Sequence, residues 1–363
     1  MVLTELIARI NKRETAGEID SHSDTIQRQQ QSSFQGSNES STRDAIQARF
    51  DFRPSTSEIA AVSDTNGTDD HDRKQQTEAI VNVSGLTYTY PGATSPAVQD
   101  ISFSVHEGEI FGFLGPSGAG KSTTQKILIG LLDEYKGGAA VFGNEVSDHS
   151  GSYYERIGIS AEAPNHYLKL TGRENLELFG SLYEGETRDP LAVLDLVGLA
   201  DAANENVSGY SKGMKGRLNV ARALLHDPDL LFLDEPTGGL DPMNARRIKD
   251  IVLDLQTAGK TVFITTHDMT VADQLCDRVA FMIDGEIPVI ETPKTLKRSH
   301  GNRRVRVEVR RDGRLESQRF NLDTLDSDES FNTLVDSGDI ETIHTEEATL
   351  EDVFLEVTGE ELQ

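Results

Sequence analysis

The chain has 363 residues, room for one large domain with appendages or for two domains. Its 61 acidic against 35 basic side chains give a formal charge of −26, which argues against a protein that tracks nucleic-acid phosphates, because such proteins carry basic patches. The single cysteine, Cys276, excludes an internal disulfide and fits a reducing compartment, and uniform acidity with more arginine than lysine is the composition expected of a salt-loving organism.

The first residues, MVLTELIARINKRE, carry Glu5 early and have no small-residue cleavage site, so they do not read as a secretory signal. Leu3, Leu6, Ile7 and Ile10 fall at helical spacing, compatible with a short amphipathic helix or with a frayed end. No stretch approaches the roughly 18 to 20 continuous apolar residues that span a bilayer. Residues 1–78 are otherwise rich in Ser, Gln, Asn, Asp and Thr. Phe34, Phe50 and Phe52 are too sparse to cover a core, which predicts a disordered extension.

From residue 79 the texture changes to short β-branched runs, glycine turns and amphipathic helices. Strands are predicted at EIFGFLG, LLFLDE, TVFITTH and RVAFMIDGE, with helical patterns over 121–132, 211–225 and 244–256. This alternation predicts an α/β domain with a largely parallel sheet. Near residue 300 the pattern shifts again. Val305, Val307 and Val309 alternate up to a hairpin signal at Asp312-Gly313, and TLEDVFLEVTG follows with Leu350, Val353, Phe354 and Val357 on one helical face. Thr349 is placed to cap that helix and Gly359 to stop it. Residues 300–363 are thus predicted to be a small α+β appendage.

Two motifs carry chemistry. In IFGFLGPSGAGKST a strand is followed by Gly115, Pro116, Ser117, Gly118, Ala119 and Gly120, with Lys121, Ser122 and Thr123 opening a helix. This is G-x-x-x-x-G-K-[ST] in its strand–loop–helix setting, a P-loop: backbone N–H groups surround phosphate oxygens, Lys121 reaches the β- and γ-phosphates of ATP, and the Ser122 hydroxyl ligates Mg²⁺. In LLFLDEPT a buried strand ends at Asp234, placed to hold Mg²⁺ directly or through water. Glu235 then stands where it can orient or deprotonate the attacking water. A third stretch, VSGYSKGM, puts Gly209, Ser211 and Gly213 in a turn that feeds another helix, a second place where phosphate could be met.

With these motifs in this order, the sequence over residues 79–299 resembles the ATP-binding cassette (ABC) ATPases. The resemblance implies a RecA-like core with an antiparallel β subdomain and a helical subdomain at about 160–225. Ser211 and Gly213 match the family's signature motif, which acts across a head-to-tail dimer so that two ATPs are sandwiched between two copies of the chain. His267 resembles the switch histidine at the γ-phosphate, and Asp241 the loop that crosses the dimer interface. Tyr90 lies where the family stacks an aromatic on adenine, with Tyr88 as its rival. Glu162 departs from the pattern, because the family has glutamine in this loop near Mg²⁺. The stretch Glu162–Asn175 would receive a separate transmembrane permease. The implied protein is the ATP-hydrolysing subunit of a transporter at the cytoplasmic face of the membrane, an exporter rather than an importer, with a soluble ABC ATPase of DNA repair, translation or iron–sulfur assembly as the alternative.

Overall fold

The computed structural model describes residues 79–359 apart from 150, 164, 301–303, 312–313 and 338–339. The expected disordered extension and N-terminal helix, and the hairpin turn at Asp312-Gly313, lie outside the described residues. The chain divides into two units, one holding residues 79–300 together with 349–359 and the other residues 304–348.

The larger unit runs β1 (Ala79–Tyr88), β2 (Val98–His106), β3 (Ile110–Leu114), α1 (Lys121–Leu128), β4 (Lys136–Val141), β5 (Asn144–Glu145), α2 (Gly151–Tyr154) and β6 (Ile157–Ser160). It continues with α3 (Gly172–Gly180), α4 (Pro190–Leu196), α5 (Lys212–Leu224), β7 (Leu230–Asp234), α6 (Pro242–Thr257), β8 (Thr261–Thr266), α7 (Met269–Leu275), β9 (Arg278–Ile283), β10 (Glu286–Glu291) and α8 (Pro293–Ser299). Strands β2-β1-β4-β5 form an antiparallel sheet. Strands β10-β9-β3-β8-β7-β6 form the central sheet, parallel except for β10 at its edge.

The central strands are buried on both faces, and period two sorts their side chains. Phe111, Phe113, Leu230, Phe232, Phe263 and Met282 face the antiparallel sheet, where Phe103 of β2 stacks on Phe111 at 5.7 Å. Ile110, Leu114, Leu231, Leu233, Val262, Ile264 and Phe281 face the helices. Gly112 leaves room on that face for α7 and its neighbour Cys276, whose Sγ lies only 2.6 Å from where a Cβ at 112 would be. Burial pushes the Cys276 thiol well above its usual pKa. Cys276 is therefore expected to resist thiol reagents in the native protein and to react once the chain is unfolded in denaturant. Rapid labelling of the native protein would show that this face opens.

The helices begin at side-chain caps that the sequence supplies. Thr171 and Glu174 form a capping box at α3, Ser211 caps α5, and Asp241 followed by Pro242 starts α6. The segment 160–225 contains α3, α4 and α5, whose apolar faces meet around Leu176, Val193, Leu194 and Leu218.

The smaller unit comprises β11 (Arg304–Arg311), β12 (Arg314–Asn321), α9 (Glu329–Ser337) and β13 (Ile340–Glu346), with sheet order β12-β11-β13. Val305, Val307 and Val309 point to one side, where Phe320, Phe331 and Leu334 complete a core. The first residue of β11, Arg304, pairs with the last of β13, Glu346.

The final helix, α10 (Leu350–Thr358), starts at a Thr349/Asp352 capping box and stops at Gly359 with φ +70°, as its sequence predicts. It departs from the expected 300–363 appendage, because α10 groups with the larger unit. The reason is its apolar face. Leu350, Val353 and Phe354 are buried in the helix-side core of the large unit, and Phe354 meets Phe281 edge-on at 5.3 Å.

Candidate functional site

The carboxyl ends of β3, β7 and β8 lie in register, Leu114 opposite Thr266 and Asp234 opposite Thr265. This is the edge at which open α/β sheets present ligands. The loop Gly115–Gly120 leaves β3 there. Gly120 caps α1 at φ +110°, and a Cβ on it would lie 2.4 Å from the Ala97 carbonyl oxygen, whereas Gly118 at φ +86° has nothing within 4 Å of that position. The loop is thus packed on one side and open on the other, with the N–H groups of α1 at its end.

Lys121 is buried, and its Nζ donates to the carbonyls of Gly115 at 2.6 Å and Pro116 at 3.0 Å. Burial lowers its pKa, against the opposing pull of the Glu235, Asp234 and Glu162 carboxylates. A buried ammonium bonded to carbonyls, in a loop open on one side, fits an incoming phosphate group. Ser122 Oγ donates to Asp234 Oδ1 at 3.5 Å, and the same oxygen accepts from the Thr265 hydroxyl. Two oxygen donors from α1 and β7 suit a hard divalent cation that takes its other ligands from phosphate and water. Among the described residues no cluster of three or more His, Cys, Asp or Glu could hold such an ion unaided.

Glu235 follows at φ +46°, a strained conformation for a residue with a side chain. The turn brings its carboxylate to the start of the segment after β8. Oε1 accepts from the His267 backbone N–H at 3.0 Å and from Nδ1–H of the same residue at 2.8 Å, and Oε2 accepts from Thr266 Oγ at 3.1 Å. Glu235 is thus held facing the P-loop rim by the histidine itself, whose ring stays mostly exposed. Tyr90 is 37% exposed, and its hydroxyl shares a 3.1 Å hydrogen bond with Thr123 Oγ1 of α1. Tyr88 is buried beneath it, edge-on at 5.0 Å. Of the two tyrosines, Tyr90 is the one with a ring face open beside the phosphate loop.

Ser211, Gly213 and Asp241 make a second cluster. Ser211 Oγ accepts from Met214 N at 3.2 Å, and Asp241 Oδ1 accepts from Met243 N and Asn244 N, both at 3.1 Å. The Asn244 side chain lies against Gly213. Glu162 is exposed in the loop after β6.

Two residues that hold the Glu162 loop were missed in the sequence. Asn219 Nδ2 donates to Ser160 Oγ at 2.9 Å and to the Ala161 carbonyl at 2.7 Å, and His166 Nε2–H donates to the Lys215 carbonyl at 3.0 Å. The Glu162 loop is therefore laced to α5 one turn apart. The available signal was an asparagine inside the apolar run LNVARALL, since a buried amide must find partners. Asn175 closes the following loop by accepting from Tyr167 N at 2.9 Å and donating to the Thr171 carbonyl at 2.9 Å, while Tyr167 and Leu168 remain exposed. Nearby, Tyr154, Ile159, Phe179, Leu182, Tyr183 and Arg222 line an open cleft of about 1130 Å³. The Arg222 guanidinium lies over the Phe179 ring at 4.6 Å.

Residues 98–238 match the ABC transporter family, and residues 303–347 match the fluoroquinolone efflux ABC transporter C-terminal domain. The chain is 57% identical to a fluoroquinolones export ATP-binding protein of Mycobacterium tuberculosis, over 78% of this chain and 94% of that one. It is 40% identical to the daunorubicin/doxorubicin resistance ATP-binding protein of Streptomyces peucetius, over 65% of this chain and 72% of that one. A dimeric ATP-binding cassette solved in a post-hydrolysis state with ADP and Pi superposes with a TM-score of 0.53 at 30% identity, covering 58% of this chain and 98% of that one. With a P-loop, a neighbouring carboxylate pair and a relative matched over nearly its whole length, the chain belongs to the ATP-binding subunits of ABC transporters, the ATPases that power them.

Proposed function

We propose that this subunit hydrolyses Mg-ATP to drive export of fluoroquinolone-class drugs through a separate permease, working as a head-to-tail pair at the cytoplasmic face of the membrane. The observation that carries the assignment of chemistry is the Glu235 carboxylate, fixed by His267 and Thr266 beside the lysine loop. Lys121 and the loop N–H groups bind the β- and γ-phosphates, and Tyr90 stacks on the base. Ser122 and Asp234, with Glu162 nearby, would hold Mg²⁺, which neutralises charge on the phosphate oxygens. Glu235 orients the attacking water and accepts its proton, and His267 holds that carboxylate in place. Ser211, Gly213 and Asp241 serve the nucleotide of the second subunit. The exposed Tyr167 and Leu168 and the adjoining cleft receive the permease. Among the described residues no helix is long and apolar enough to cross a membrane, so the drug path is assigned to that partner.

The export reading is supported by the names of both relatives and by the match of residues 303–347, and these favour transport over a soluble role in repair or translation. The charge of −26 supports a high-salt interior, in which the fold would be more stable in molar potassium chloride than in dilute buffer. The deciding experiment is affinity capture of ATP-trapped Glu235→Gln from detergent-solubilised membranes, paired with fluoroquinolone accumulation in cells lacking the chain. A polytopic membrane protein near one-to-one, with raised drug accumulation, is expected. Capture of soluble factors alone, with accumulation unchanged, would overturn the transporter reading.

Glu162 gives a separate expectation. The Glu162→Gln variant removes a carboxylate that acts on Lys121 but takes away no hydrogen bond from the phosphate loop. ATP affinity is expected to stay within about three-fold while turnover changes. Complete loss of nucleotide binding would overturn this and show that the Glu162 carboxylate is required to hold the nucleotide and does not only set its turnover.

A further inference from the structure

We infer that Asn244 is a positioning residue that binds the Asp241 turn to the Ser211–Gly213 turn of the same subunit, so that both meet the partner's nucleotide as one rigid edge. The inference rests on the two-subunit reading above and deepens it.

Three contacts lay the segment after β7 along one face of α5. A Cβ on Gly213 would lie 2.6 Å from Asn244 Cγ, so the bare glycine backbone is what lets the amide lie flat there. A Cβ on Gly216, one turn on, would be 3.8 Å from both δ-carbons of Leu240. The Lys212 amine sits over Gly239, 2.1 Å from where its Cβ would be.

Within this packing only Asn244 carries a directed bond, because its Nδ2 donates to Asp241 Oδ2 at 2.6 Å. The other oxygen, Oδ1, is occupied by the backbone N–H groups of Met243 and Asn244. Asp241 thus uses one oxygen to cap α6 and the other to fix its turn to the residue lying on Gly213. The two jobs separate chemically. Asn244→Ala keeps the backbone N–H that completes the cap, and alanine is a better helix residue than asparagine. The substitution removes the side-chain bond and the packing on Gly213 while leaving the fold in place.

The test uses the full chain with steady-state ATP hydrolysis. For Asn244→Ala the expectation is KM within about two-fold, kcat down about ten-fold and a Hill coefficient falling toward one. Asn244→Asp, isosteric but unable to donate, sets a carboxylate against Asp241. It is expected to be slower than the alanine variant at neutral pH and to recover as pH falls. Asp241→Ala combined with Asn244→Ala is expected to be no slower than Asp241→Ala alone, because the second change breaks a link already broken. Wild-type turnover in Asn244→Ala, or losses that multiply in the double variant, would overturn the role of Asn244. Size-exclusion chromatography of Glu235→Gln with ATP keeps the two levels apart. A monomer there removes the two-subunit reading itself, whereas a dimer together with wild-type turnover in Asn244→Ala removes only the link proposed for Asn244.

Discussion

Glu235→Gln is expected to hydrolyse ATP about 10²- to 10⁴-fold more slowly than the wild type while binding it with affinity unchanged within a few-fold, the size of effect that a positioned general base supplies. The side chains are nearly isosteric: an amide oxygen in the place of Oε1 still accepts from His267 N–H, and the amide nitrogen in the place of Oε2 can donate to Thr266 Oγ. What disappears is the negative charge and the capacity to take a proton from water. Radiolabelled phosphate release measures the first quantity and equilibrium nucleotide binding the second. Turnover within a few-fold of wild type would mean that another group activates the water, and loss of ATP binding would mean that the glutamate was needed to build the site.

The second large effect concerns stability. Phe354 of α10 is fully buried against Phe281 although it is reached only after the whole smaller unit has been traversed. Phe354→Ala is expected to destabilise the larger unit by about 3 to 5 kcal/mol, the transfer and cavity cost of removing a core phenyl group. Glu351→Ala on the exposed face of the same helix is expected to change stability by less than about 0.5 kcal/mol. The chain contains no tryptophan, so urea unfolding would be followed by far-ultraviolet circular dichroism. Equal, small effects of the two substitutions would show that α10 does not belong to the core in solution.

How far the sequence carried depends on the range of the physics involved. The loop Gly115–Gly120, Lys121 and the Asp234-Glu235 pair were legible because each is a local device, a strand ending at a turn whose residue types are dictated by phosphate and metal chemistry. The caps at Ser211, Asp241 and Thr349 were equally local, although only Thr349 was read as one. Membership of α10 was not legible. Its apolar stripe said that it must pack, and only the fold says that the surface it packs on lies before residue 300. The run LNVARALL marked Asn219 as a buried amide in need of partners, but its partner at Ala161 and the seat of Asn244 on Gly213 were not legible, since both depend on how segments distant in sequence approach each other. The strain at Glu235 could not be read either, because a positive φ is imposed by the turn and leaves no mark on the residue type.

The pairing of Arg304 with Glu346 has a consequence for how the chain is assembled. The larger unit cannot be completed until α10 returns, and joining it across a flexible segment of roughly fifty residues would cost about 3 kcal/mol in closure entropy. The smaller unit folds with its entrance and exit strands side by side, so once formed it acts as a short clasp and removes most of that cost. It is an insertion closed by its own strand pairing, and lesions in its core around Val307 and Phe331 are expected to lower the yield of active ATPase without touching a residue of the nucleotide site.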